Sequence, residues 1–323
     1  MSAQLVRVEG GTTREAVGAA PCALVVGNFD GVHRGHQAVL SEAVAHARAS
    51  RLAACVLTFD PHPGLVVGRG APPLLTTLER RAELAGALGV ERVYVRHFDA
   101  EFAAWSPERF VRDLVAGVLA AKVVVVGENF RFGAKRTGDL TMLRGEGARL
   151  GLEARVHSVA ADAHGAFSST RARDAIGAGR VDEAIQVLGR PHSVSGVVVH
   201  GDGRGRTIGV PTANLEGVPE LLPSNGVYAV RVDALVPEGS AGSAGPSRPL
   251  GAGVTNVGVR PTVDGTTRRI ETHLFDFSGD LYGQRLRVHL LARIRDEKKF
   301  AGLDELEAQI ARDIEAARAV QSP

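Results

Sequence analysis

The sequence predicts two parts in series: an α/β part built on a parallel sheet over residues 1–188, then a small antiparallel β-barrel with a closing helix over 189–323. Three observations lead there. From residue 23 to about 160, short apolar runs alternate with stretches of helical periodicity, the pattern of a parallel sheet covered on both faces. After about residue 190, strand-like runs follow one another through Gly/Pro/Asp-rich turns with no long helix between them. At 323 residues the chain can bury a separate core in each part.

In the first part the expected strands are 23–27, 53–59, 92–97, 122–127 and 154–159, and the expected helices 36–49, 77–88, 107–119 and 138–150. A short helix over 181–188 precedes Gly189-Arg190-Pro191, where the boundary is placed. In the second part strands are expected over 194–200, 226–232, 251–256, 269–277 and 285–294. Leu303, Leu306, Ile310, Ile314 and Ala317 form one apolar stripe on the closing helix, with Asp304, Glu305, Glu307, Arg312 and Glu315 toward water. The Gly/Ser/Pro-rich segment 237–249 is too small and polar to pack and reads as a hairpin tip.

Composition bounds the partners. Hydrophobic residues make up 44% and charged residues 23%, ordinary for a globular chain, and the net charge of +2 argues for neither a nucleic-acid nor a membrane partner. Cys22 and Cys55 both lie in apolar runs and read as buried free thiols. No apolar stretch reaches the roughly 18 residues of a membrane span and no leader is evident, so a cytoplasmic protein is expected.

The most informative segment is Gly27-Asn28-Phe29-Asp30-Gly31-Val32-His33-Arg34-Gly35-His36. An apolar strand enters a glycine-rich turn, and two histidines three apart open an amphipathic helix. Imidazoles and unpaired backbone N–H groups at a helix N-terminus favour an anionic phosphate. His-x-Gly-His in this setting resembles the nucleotidyltransferase signature, whose members attack the α-phosphate of a nucleoside triphosphate. Three further segments invite chemistry: Phe59-Asp60-Pro61-His62-Pro63, Gly127-Glu128-Asn129-Phe130-Arg131-Phe132-Gly133, and Ser168-Ser169-Thr170-Arg171. Each also reads structurally, as a turn, as core aromatics and as a helix N-cap.

In the second part, Gly203-Arg204-Gly205-Arg206 opens a glycine-rich loop that ends in Pro211-Thr212-Ala213-Asn214. Spaced glycines let backbone amides wrap phosphates, and the loop lacks the Gly-Lys-Ser/Thr ending of a P-loop. Thr212 and Asn214 alternate as strand neighbours do, so their oxygens can face one side and ligate a hard cation; Mg²⁺ accompanying ATP is the candidate. Glu271, near the start of an apolar strand, can serve as a general base or simply face solvent. His46, His97, His157 and His164 are not promoted to either site, and Trp105 reads as a packing anchor.

Taken in order, GNFDGVHRGH (27–36), TFDPHP (58–63), VGENFRFG (126–133), SSTRAR (168–173), GRGRTIGVPTANL (203–215), LPSNGVYAV (222–230), TNVGVRPT (255–262) and ETHLFDFSGDLYG (271–283) resemble the prokaryotic bifunctional riboflavin kinase/FMN adenylyltransferase family, from Val25 to about Ala317. The resemblance implies a Rossmann-like nucleotidyltransferase sheet that transfers AMP from ATP to FMN. It further implies a riboflavin kinase barrel that phosphorylates riboflavin. It assigns ATP in the first part to Gly27, Asn28, Phe29, Asp30, His33, His36, Asn129, Ser168, Thr170 and Arg171, and the flavin to Phe59, Pro61 and Phe130. It makes His33, His36 and Glu271 catalytic, and gives ATP and the metal of the second part to Gly203–Arg206, Thr212 and Asn214. The implied partners are ATP, riboflavin and FMN, with self-association left open. The rival expectations are that one module alone works, or that the chain binds flavin without turnover. The first motif alone would also suit a cytidylyltransferase, for which the second half has no use.

Overall fold

A computed structural model describes residues 2–158, 160–201, 205, 208–236, 247–262 and 265–321. Gly203, Arg204 and Arg206, and positions 237–246 of the expected hairpin tip, lie outside the described residues.

Described residues of 2–72 and 78–167 form one compact unit. Its sheet contains β1 (Gln4–Val8), β2 (Cys22–Val26), β3 (Ala53–Asp60), β4 (Arg92–His97), β5 (Ala121–Gly127) and β6 (Glu153–His157), all parallel, in the order β1-β4-β3-β2-β5-β6. All five residues of β2 are buried, because helices cover both faces. Cys22, Leu24 and Val26 enter one core with Leu57 and Leu114, while Ala23 and Val25 enter the other with Leu40 and Val56. The helix Arg34–Ser50 buries Val39, Leu40, Ala43, Val44 and Ala47 on one stripe. From β2 the chain winds outward through β3 and β4, then returns to the other side of β2 as β5. The β2/β5 junction is therefore the switch point at which such sheets bind ligands.

Several elements differ from the sequence expectation. The edge strand β1 was not anticipated: five residues with only partial burial carry too little periodicity to read. The helix expected over 107–119 is α-helical only at Pro107–Arg109 and continues as a π-helix over Phe110–Val118, with Leu119 N–H donating to Leu114 C=O at 2.9 Å. Phe110, Val111, Leu114 and Val115 are buried all the same. Trp105 packs against Phe102 and under the Arg109 guanidinium, the packing role expected of it.

After β6 a short antiparallel pair follows, β7 (Ala161–Asp162) and β8 (Gly165–Ala166). Described residues of 73–77 and 168–321 form the second unit. Strands β9 (Ser193–Val199), β10 (Ala213–Glu216), β11 (Gly226–Leu235), β12 (Ser247–Thr262), β13 (Gly265–Leu274) and β14 (Arg285–Arg295) close a barrel in the order β10-β13-β12-β11-β14-β9, each neighbour antiparallel. The helices Ser169–Gly177 and Val181–Leu188 go with this barrel, Val181 and Ile185 entering its core beside Val194 and Tyr228. By packing, residues 168–188 group with the barrel. Residues 73–77 join the same unit through Leu74, which bridges to Glu220.

The closing helix spans Leu303–Gln321 and buries Ala317, with Ile314 partly covered. Leu303, expected on the buried stripe, is 57% exposed, because it sits in the first turn beside an open cleft. The helix is bolted to β14 by Arg295, whose Nε and Nη2 donate to the buried Asp313 carboxylate at 2.9 and 2.6 Å, with Gln309 donating to the same group. Removing one partner strands a buried charge, so Asp313→Ala is expected to cost about 3 kcal/mol. The check is a lower urea midpoint for loss of the barrel's activity. Among the described residues no helix is long and apolar enough to cross a membrane.

Candidate active sites

In the first unit, β2 hands the chain to a tight loop in which Phe29, Gly31 and Val32 all take positive φ, at 51°, 84° and 39°. Such geometry suits Gly31 and is tolerated at the other two because the loop is braced from inside. Asn28 C=O accepts from Thr58 Oγ1 at 3.0 Å and from Arg81 Nη1 at 3.1 Å, and Arg81 Nη2 reaches the buried Asp30 carboxylate at 3.2 Å. His62 Nδ1 accepts from Gly64 N–H, so Nε2 carries the proton in the neutral ring. The Asn28 side-chain amide nitrogen lies 3.1 Å from that Nε2.

The loop delivers His33 to the N-cap of Arg34–Ser50, where Nδ1 accepts from His36 N–H at 3.3 Å. The two imidazoles stack with centroids 3.6 Å apart and planes at 22°, and Phe29 packs on His36 at 4.9 Å. Gly35 suits this closeness: a Cβ there would lie 3.1 Å from the His33 ring and 3.3 Å from Phe167 C=O, so a side chain would push on both. Together they line a cleft of about 290 Å³ at the β2/β5 switch point, with Gly27, Asn129 and Phe130 on its walls.

The other expected residues of this half are not in the lining of this cleft. Asp30 is buried against Arg81 and Asn28 is engaged with His62, so both build the loop and neither lines the cleft. Phe59, two residues before Pro61, packs edge-on against Phe98 beside Phe102. Ser168 is the N-cap of Ser169–Gly177 and accepts from Arg171 N–H; with Thr170 and Arg171 it belongs to the second unit. His157, set aside in the sequence reading, does line the cleft, because β6 pairs it with Gly127 at the carboxyl end of β5. Its place at a strand end was the available signal.

In the barrel, register assembles the second site. Asn214 pairs with Glu271, Glu271 with Asn256, Asn256 with Val227, and Val227 with Arg295. Directly opposed residues share a face, so these five form one row across β10, β13, β12, β11 and β14. The alternate residues Ala213, Leu215 and Ile270 fill the barrel core instead. Glu271, Asn256, Thr212 and Val227 line a cleft of about 830 Å³ whose far wall is Phe300 and the closing helix at Leu306 and Ile310. A second cleft of about 400 Å³ lies between Pro211, Phe277, Leu281 and Tyr282, and Thr212 borders both. Asn214 lies against Gly201, where a side chain would collide with its amide. Gly205 lines the larger cleft, while Gly203, Arg204 and Arg206 are outside the described residues. Asn256, within TNVGVRPT, is a functional candidate that local sequence does not mark, since its adjacency to Glu271 exists only through register.

Comparison with known proteins finds two domains in series in this chain. The family model for FAD synthetase matches residues 17–171 and that for riboflavin kinase residues 188–321. The chain is 41% identical over 298 residues to the bifunctional riboflavin kinase/FMN adenylyltransferase of Escherichia coli K12, covering 92% of each chain. It is 37% identical to the Pseudomonas fluorescens protein of the same name, covering 94% of each. A crystal structure of a Streptococcus pneumoniae chain described as a macrolide-efflux protein superposes with a TM-score of 0.83 at 32% identity, covering 97% of this chain and 98% of that one. With both domains in this order and such identity over 92% of its length, the chain belongs to the bifunctional riboflavin kinase/FMN adenylyltransferase family.

Proposed function

We propose that the chain converts riboflavin to FMN in the barrel and FMN to FAD on the parallel sheet, each with ATP. The observation that carries this reading is that each domain has its own cleft at its own motif, with His33 and His36 in one and Glu271 and Thr212 in the other.

On the sheet, a phosphate oxygen of FMN attacks the α-phosphorus of ATP and pyrophosphate leaves. No covalent enzyme intermediate is needed, so catalysis rests on alignment and electrostatic stabilisation. His33 accepts at Nδ1, which leaves Nε2 as the protonated nitrogen of the neutral ring, the one that donates to a phosphate oxygen. The stacked His36 and the helix N-terminus add to the same field. Asn129 and Phe130, at the end of β5, offer an amide to a phosphate or ribose and an aromatic wall to a planar ring.

In the barrel, the larger cleft with Val227, Phe300, Leu306 and Ile310 suits the isoalloxazine, and its floor holds Glu271. Glu271 takes the proton of the riboflavin 5′-hydroxyl as that oxygen attacks the γ-phosphorus and ADP leaves. The smaller cleft suits the nucleotide, and Thr212, bordering both, marks where the phosphoryl group crosses. Thr212, bordering both clefts, and Asn214, directly opposite Glu271, would supply the neutral hard oxygens that a Mg²⁺ shared with ATP takes from a protein. The described residues contain no cluster of three His, Cys, Asp or Glu that would form an all-protein metal cage. When bound, the ion neutralises triphosphate charge.

The test is chromatography of flavins after incubating the pure chain with riboflavin, ATP and Mg²⁺, beside a tube given FMN. FAD is expected in both, with FMN transient in the first. FMN accumulating without FAD would confine the activity to the barrel, and no ATP-dependent change in either tube would overturn the reading.

A further inference from the structure

His157 and Glu42 form a dyad on the wall of the adenylylation cleft that the mechanism above does not use. His157 ends β6 in register with Gly127, and it lines the same cleft as His33, His36, Asn129 and Phe167. Its Nδ1 lies 2.5 Å from Glu42 Oε2, on the helix that His33 caps. A carboxylate accepts only, so Nδ1 carries the proton of this contact and the ring orientation is fixed. When the ring carries both protons, Nε2–H is the donor left to meet an anion that enters, and Glu42 balances the charge. Nε2 is covered, and no hydrogen-bond partner for it exists among the described residues. Covered polar atoms without partners are rare in folded chains, and an active cleft is one of the places where they persist.

The chemistry of the cleft says what would satisfy Nε2. Three imidazoles and a helix N-terminus converge there, and the carboxylate of Glu128 on its rim is exposed to water. An anion rich in acceptor oxygens fits this set, and a polyphosphate presents enough oxygens to engage several imidazoles at once. We propose that His157 is a third histidine contact to the polyphosphate of the nucleotide and to the pyrophosphate it releases, with Glu42 as its positioning residue. The inference rests on the adenylyltransferase reading of this cleft.

Pyrophosphate itself is the probe, as a product inhibitor of FAD formation from FMN and ATP by the full chain. His157→Ala is expected to raise both the half-inhibitory pyrophosphate concentration and KM for ATP about tenfold, the worth of one charge-assisted hydrogen bond. KM for FMN and the riboflavin kinase rate of the same chain should stay within about twofold, since neither touches this contact. His157→Gln, which keeps a hydrogen-bonding atom, should recover part of the loss. Glu42→Gln should move the same constants in the same direction and less far, and it carries the test independently should the alanine variant fail to fold. Unchanged pyrophosphate inhibition in His157→Ala would overturn the proposal. So would an equal shift in KM for FMN and in the kinase rate, which would make the residue merely structural. A wild-type chain that forms no FAD at all would instead bring down the adenylyltransferase reading, and this inference with it.

Discussion

His33→Ala is expected to lower FAD formation from FMN by about 10²–10³-fold, the loss typical when a preorganised donor to transition-state charge is removed. Riboflavin phosphorylation by the same protein should stay within about twofold, because the barrel's cleft and this one lie in separate compact units. The size of the effect follows from two roles held by one ring. His33 donates from Nε2, and through Nδ1 it caps the helix and holds the His36 N–H. Its face also supports the His36 imidazole at 3.6 Å, so its removal loosens the second histidine as well. The two roles separate experimentally. His33→Asn restores a good N-cap, recovering about 1 kcal/mol of stability, yet it should not restore adenylylation. If asparagine restored FAD formation, the imidazole would be a cap and nothing more. The measurement is initial rates of FAD and FMN formation for the two variants, beside thermal unfolding.

Where periodicity is strong and burial one-sided or complete, the fold was legible. β2 and β5 are buried on both faces and read as continuous apolar runs, and the helix Arg34–Ser50 shows its stripe plainly. The closing helix was legible too, apart from Leu303, whose burial depends on how much of the first turn reaches the barrel. The illegible parts depend on pairing across distance. β1 is recognisable only as the partner of β4, some 88 residues on, and β10 is four residues long and defined by its neighbours β9 and β13. Asp30 illustrates the same limit within a motif: an acidic residue in a phosphate-type loop looks chemical until Arg81, 51 positions away, is found buried against it. His157 is the converse case. It was an unremarkable strand end until the β5/β6 register put it beside Gly127. Both corrections come from register and tertiary pairing, which local spacing does not encode.

Glu271→Gln should reduce riboflavin phosphorylation by about 10²–10⁴-fold while FAD formation from supplied FMN persists, since a general base contributes on that scale. Glutamine keeps the shape and most hydrogen bonds of the side chain, so the substitution removes the proton acceptor and leaves the row intact. That row is why the site is sensitive to its base: Asn214 and Asn256 flank Glu271 directly on β10 and β12, and both are neutral. Neither amide can accept a proton in its place, and His273, two residues on and lining the same cleft, donates through Nδ1 to Pro211 C=O at 2.8 Å. A carbonyl accepts only, so that nitrogen carries a proton and Nε2 is the sole site on the ring able to take another. The division of labour is therefore testable by a double variant. If His273 substitutes for the missing carboxylate, Glu271→Gln/His273→Asn will fall well below Glu271→Gln alone. If Glu271 is the base, the second substitution adds little, because the proton then passes to water in both. Supplying FMN to either variant must still give FAD at the wild-type rate. A loss of both activities from Glu271→Gln would contradict the assignment of the two reactions to two clefts.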